Sequence, residues 1–147
     1  MQTFLPYISF YNCASVLDNR RLNKQITETY QILLTLWFDS RWRNHPAVKM
    51  WRGYDKVLIS YGVICYREWQ HRFINGQRGG NLCHNAGEYL KVFHTQEIKN
   101  RRIKFPSWFG RRDIIISHRS NLLRKNYKYY SEYFKDIPDN LPYVWPI

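Results

Sequence analysis

Glu28 is the residue in this sequence whose surroundings could do chemistry. It lies in the stretch LDNRRLNKQITETYQIL, residues 17–33. Placed on a helix at 100° per residue, Leu22, Ile26, Thr29, Leu33 and Trp37 form one apolar side. Glu28 then falls nearly opposite, with Arg21, Lys24, Gln31 and Thr35 as neighbours. The chain has only 11 Asp and Glu against 23 Lys and Arg, so a carboxylate inside a basic, solvent-facing strip asks for a reason. One account is a Lys24–Glu28 pair at i,i+4, a surface interaction of a few tenths of a kcal/mol. The other is a carboxylate held where a polyanion lies, flanked by cations that grip its phosphates. Cleaving an N-glycosidic bond builds positive charge on the sugar, and a single nearby carboxylate stabilises that charge. Spacing alone leaves both accounts open.

Competing chemistries lack parts. A metal-dependent nuclease gathers carboxylates around an ion, whereas the acids here are scattered and form no D-x-D or E-x-K cluster. No nucleophile elbow or local signature surrounds a Ser or Cys. Cys83, His84 and His94 sit close together in CHNAGEYLKVFH, but at no usual zinc spacing and without a fourth ligand. Neither a metal nor another cofactor is expected.

The formal net charge of +12 costs a folded protein self-repulsion and points to a polyanionic partner. Basic residues alternate with aromatics in YREWQHRF, FPSWFGRR and RKNYKYYSEYF, a pattern suited to phosphate contacts and base stacking. The candidates for DNA contact are Arg20, Arg21, Lys24, Arg52, Arg111, Arg112, His118, Arg119, Arg124, Lys125 and Lys128. Trp51 or Trp108 is expected to stack on DNA or wedge into it.

The elements that must position these groups read as helices. At 147 residues, one domain spanning 1–147 is expected, with a core that needs no staples. Three widely spaced cysteines, 13, 65 and 83, read as free thiols. No run of about eighteen apolar residues suggests a membrane span. MQTFLPYISFYN lacks the layout of a signal peptide and is expected to remain as an extended arm. Helix one runs from Ser15 or Asp18 to Trp37. Asn44 is the expected N-cap of helix two, with Pro46 just inside. Trp51, Tyr54, Leu58, Tyr61, Cys65 and Trp69 line one face of that helix. It should stop before NGQRGG. A third helix is expected over Glu88–Lys99, and a fourth carries IIISHRSNLLRK behind an Asp113 cap, although its isoleucines also suit a strand. DIPDNLPYVWPI makes an irregular, proline-rich tail. The expected fold is thus all-α, a compact bundle of three to four helices. The helices and loops are longer than those of a helix–turn–helix reader.

LDNRRLNKQITETYQIL resembles the catalytic first helix of the endonuclease V-type pyrimidine dimer DNA glycosylases, with Glu28 on the position of their essential glutamate. HPAVKMWRGYDKVL resembles the start of the family's second long helix, through Tyr54, Asp55 and Lys56. MQTFLPY, WRNHPAV, MWRGY, SHRSNLLRK and LPYVWP are similar to runs in a short bacterial and phage branch of the family. The resemblance implies a compact helical fold, a metal-free enzyme, and damaged double-stranded DNA as partner. It also implies a nucleophilic terminal amine that attacks the sugar C1′ to form an imine. The glutamate assists, and β-elimination then nicks the strand. Two departures mark this chain. Thr27 and Gln31 stand where the family has arginines, so Arg20, Arg21 and Lys24 supply cations from the preceding turns. Gln2 and Thr3 replace the arginine beside the terminal nucleophile. Gln2 is too large for ordinary methionine removal, which makes Met1 the expected amine and Lys24 the reserve. A cytoplasmic, nucleoid-associated monomer follows from this reading. The alternative is a non-catalytic basic protein that binds or packages DNA.

Overall fold

The computed structural model describes residues 1–73, 81–98 and 102–147. Among them are seven helices and no strand: α1 (Phe10–Val16), α2 (Asn19–Trp37), α3 (Pro46–Lys49), α4 (Asp55–Phe73), α5 (Asn81–Glu97), α6 (Arg112–Lys125) and α7 (Tyr127–Tyr130). None is long and apolar enough to cross a membrane. The all-α expectation holds, with more and shorter pieces than three or four helices.

The central unit is α2 packed on α4 and α5. Leu22, Ile26 and Leu33 of α2, Leu58, Tyr61 and Cys65 of α4, and Leu90 of α5 are all fully buried. Gly62 is where the three helices meet. A Cβ there would stand 2.6 Å from Thr29 Cγ2 and 2.9 Å from Leu90 Cδ1, so a larger residue would force those side chains to shift.

The extra helix ends have local causes. Asp18 is extended and accepts from Arg21 N at 3.2 Å, so it caps α2 and separates it from α1. The first dozen residues are therefore not all arm, because α1 begins at Phe10. His45, not Asn44, caps α3, its Nδ1 accepting from Ala47 N at 3.1 Å. Gly53 at φ 83° turns the chain between α3 and α4, which splits the expected second helix. The expected stop at NGQRGG, residues 75–80, lies outside the described residues, as does Lys99. α5 starts at Asn81 rather than Glu88 because Cys83 and Ala86 extend its buried stripe backwards from Leu90. Asp113 is not a cap. It sits in the first turn of α6, paired with Arg111, which holds the N-cap position without a side-chain capping bond. The isoleucines are helical, with Ile114 buried.

Both chain ends fold back on this unit. Thr3, Phe4 and Leu5 are buried, and the tail lies beside them. Leu141 N donates to Ser120 Oγ at 3.0 Å and Val144 N to Ser117 Oγ at 3.1 Å. Tyr143 lies parallel to the His118 ring, with centroids 4.3 Å apart. The tail is irregular, as expected, and its backbone is tied down.

Candidate active site

Hydrogen bonds inside the protein hold the arm at nearly every step. Phe4 N donates to Gln25 Oε1 at 2.8 Å, and Leu5 N donates to His118 Nδ1 at 2.9 Å. The Tyr61 hydroxyl lies 2.8 Å from Phe4 O and 2.6 Å from Gln25 Oε1. Trp51 Nε1 donates to Thr3 Oγ1 at 3.1 Å, and the Tyr143 hydroxyl donates to Thr3 O at 2.6 Å. Buried backbone polar groups need such partners. The bonds thus satisfy an extended segment that belongs to no helix or sheet.

Three of the expected DNA contacts lie inside or against this cradle. Trp51 and His118 are fully buried, and Trp108 is packed edge-on against Trp51 with centroids 5.1 Å apart. None presents a ring to a duplex. Burial holds the His118 imidazole down to about 3, so it stays a neutral acceptor for Leu5 N–H. Arg119 donates to Pro6 O at 2.9 Å with its guanidinium over Tyr7. Arg124 pins the tail through Asp139 O and Leu141 O at 2.9 and 2.7 Å.

Held from residue 3 onward, the arm delivers its first two residues to α2. Gln25 Nε2 donates to Gln2 O at 3.0 Å, while Gln2 N donates to Glu28 Oε2 at 3.3 Å. The terminal amine is three bonds from that N–H, so it stands within about 7 Å of the carboxylate. Glu28 is not the open surface group that its helical position suggests. The arm covers its flank, and its side chain is 14% exposed. The Lys24–Glu28 pair also exists, at 3.7 Å, but Lys24 is 69% exposed.

Around Glu28 is a recess of about 130 Å³ lined by Gln2, Arg20, Arg21, Lys24 and Lys125. Arg21 fixes its floor, bonded to Asp18 Oδ2 at 3.0 Å and to Lys125 O at 3.1 Å. Lys125 is lowered from the usual lysine range, first by partial burial and then by the charges of Arg21 and Lys24. That mutual repulsion is what a bound anion would relieve. Arg52, Arg111, Arg112 and Lys128 are exposed but line no part of this recess. Arg52 donates to Arg43 O at 3.0 Å, and Arg111 is occupied by Asp113.

Sequence reasoning missed two residues here. Gln25 is buried at the flank of the apolar stripe. An amide on that border was the available signal. His45 is held below the usual histidine range, chiefly by burial and then by the charge of the terminal amine, while Glu28 acts in the opposite direction. Its Nδ1 is taken by Ala47 N–H, which leaves the ring proton on Nε2. Nothing in the sequence brings residue 45 to residue 1.

No group of three or more His, Cys, Asp or Glu side chains able to hold a metal occurs among the described residues. The thiols are poor nucleophiles, because burial pushes Cys13 and Cys83 up to about 12 and Cys65 higher still.

Residues 1–79 match the model of the family described as pyrimidine dimer DNA glycosylase. The chain belongs to that family. The match takes in the arm, α2 and α4, and hence Met1, Gln25, Glu28 and His45. Membership makes DNA the substrate class and glycosidic-bond cleavage the reaction class of this glycosylase. No curated protein and no solved structure matches the chain.

Proposed function

We propose that this glycosylase excises cyclobutane pyrimidine dimers from duplex DNA and nicks the resulting abasic site. The observation that carries the reading is the contact of Glu28 with Gln2 N–H, one residue from a terminal amine, inside a recess of cations. The amine lone pair attacks C1′ as the glycosidic bond breaks, its electron pair leaving with the base. Glu28 stabilises the positive charge that develops on the sugar. Proton loss from nitrogen and opening of the sugar ring give the imine. Loss of a C2′ proton then expels the 3′ phosphate by β-elimination, and water releases the protein. Arg20, Arg21, Lys24 and Lys125 would hold the flanking phosphates, and Lys24 is the second-choice nucleophile.

Borohydride reduction during reaction with dimer-containing duplex tests the scheme. The expected result is a covalent protein–DNA adduct mapped to Met1, abolished by an N-terminal acetyl cap that leaves DNA affinity intact. Trapping on Lys24 would move the nucleophile. Excision without an adduct would make water the attacking group. Tight binding with neither excision nor adduct would favour the non-catalytic DNA-binding alternative.

A further inference from the structure

The family match ends at residue 79, yet part of the arm's support comes from beyond it. Four consecutive residues of α6, Ser117 to Ser120, bind both ends of the chain. Ser117 Oγ accepts from Val144 N at 3.1 Å and Ser120 Oγ accepts from Leu141 N at 3.0 Å. Between them, His118 Nδ1 accepts from Leu5 N and Arg119 Nε donates to Pro6 O, both at 2.9 Å. The outer pair grips the tail and the inner pair grips the arm. One turn of helix therefore sets the two ends in register.

Tyr143 lies between the two gripped tail residues. Its ring is parallel to that of His118, with centroids 4.3 Å apart, and edge-on to that of Phe4. The Trp145 ring is 4.3 Å from it and edge-on to His45, the imidazole that feels the charge of the terminal amine. Held among these rings, the Tyr143 hydroxyl donates to Thr3 O at 2.6 Å. Burial raises this hydroxyl well above the usual tyrosine range. The bond to Thr3 opposes that shift and the charge of Glu28 adds to it, so the group remains a donor.

Thr3 O and Phe4 N belong to one peptide unit, which is trans and points them in opposite directions. Tyr143 holds the carbonyl edge of that plane, and Gln25 holds the N–H edge at 2.8 Å. With one edge released, the plane can rock about the other. A rotation of about 10° moves an amine roughly 7 Å away by about 1 Å, and a displacement of that size can cost as much as 10²-fold in rate. The bonds of Gln2 to Gln25 and Glu28 limit the swing.

We infer that Tyr143, set in place by Ser117 and Ser120, is a positioning residue for the terminal amine, so that both ends of the chain build the site. The inference rests on the assignment of Met1 as nucleophile proposed above. Tyr143→Phe keeps the ring and removes the hydroxyl, whereas Tyr143→Leu removes both. Single-turnover reaction with dimer-containing duplex under borohydride gives the measured quantity, the fraction of broken glycosidic bonds captured as Met1 adduct. Loss of stability alone lowers bond breakage and adduct together and leaves that fraction unchanged. Both variants should lower it by about fivefold as water replaces a misplaced amine, with duplex affinity kept within about twofold. Tyr143→Leu should be the less stable of the two in a denaturant titration and share the same fraction. A wild-type fraction in Tyr143→Phe would overturn the inference alone, whether or not Tyr143→Leu lowers it. A wild-type protein that breaks glycosidic bonds without any adduct at Met1 would overturn the proposed nucleophile, and the positioning role with it.

Discussion

Gln25 and Glu28 stand one turn apart on α2 and grip the same residue, Gln2, yet they answer to different physics. Gln25 is 1% exposed, and its amide bonds to Gln2 O, Phe4 N–H and the Tyr61 hydroxyl. A neutral amide can be buried this way because its donors and acceptor are matched. Glu28 keeps one oxygen on Gln2 N–H and the other toward Lys24, beside an open recess. A carboxylate buried as deeply as Gln25 would need full compensation for lost hydration. Left at the recess, it stays within reach of a substrate. The interior amide fixes where the arm goes, and the recessed acid faces what the arm delivers.

Exchanging charge at one position and contacts at the other should separate these roles. Glu28→Gln keeps an oxygen to accept from Gln2 N–H but removes the charge, so turnover should fall by about 10²-fold or more. Stability should change by less than about 0.5 kcal/mol. Rates on dimer duplex and a denaturant titration measure the two. A variant that turns over at the wild-type rate would reduce Glu28 to a surface partner of Lys24.

Gln25→Leu should do the reverse. It leaves the buried Phe4 N–H without an acceptor, a loss of about 1–3 kcal/mol. Turnover should drop by only about tenfold, as the first two residues lose their fixed position. If Gln25→Leu proved as stable as wild type, the cradle would not be what holds the arm.

The two histidines repeat the contrast, and here the sequence was least legible. The stripe of α2, its start at Ser15 or Asp18 and the buried face of α4 could be read because helical periodicity is local. Glu28 was legible for the same reason, as the odd charge on a basic face. His118 stood in a run of basic residues and invited a DNA-contact reading. What it bonds is the Leu5 backbone, 113 positions away in sequence, and no periodicity encodes that pairing. Trp51, expected to stack on DNA, is buried in the same way, through Thr3. The arm itself was the hidden variable. Its hydrophobic residues signalled packing, but an extended strand satisfied by scattered side chains has no pattern of its own. His45 drew no attention because only the folded arm brings it near a charge.

The buried histidine should leave a mark on acid stability. His118 is depressed to about 3 in the folded protein and returns to about 6.5 when unfolded. Between those values the unfolded state binds the extra proton, so stability falls as pH falls and is fully present above about 6.5. The loss should be about 1.4 kcal/mol per pH unit across that window, beyond what carboxylates contribute. Denaturant titrations at pH 4, 5 and 6, set against His118→Asn, isolate it. The asparagine can accept from Leu5 N–H without titrating, so its slope with pH should be shallower whatever its absolute stability. Identical slopes would mean that water or a shifted backbone reaches the ring.

Lys24 gives the smallest effect on the fold and is the most informative about the cationic side of the comparison. Its ammonium is 3.7 Å from Glu28 and its side chain is 69% exposed, so Lys24→Ala should change stability by a few tenths of a kcal/mol at most. If the recess exists to hold phosphate, the same substitution should weaken DNA binding evenly across sequences. Affinity of the wild-type protein should fall by about tenfold or more between 50 and 200 mM salt, as counterions are released. Removing one phosphate contact should reduce the slope of log affinity against log salt by about one. Arg52→Ala, a change of equal charge outside the recess, should leave the slope nearly unaltered. Equal slopes for the two variants would mean that net charge alone, not the walls around Glu28, draws the DNA.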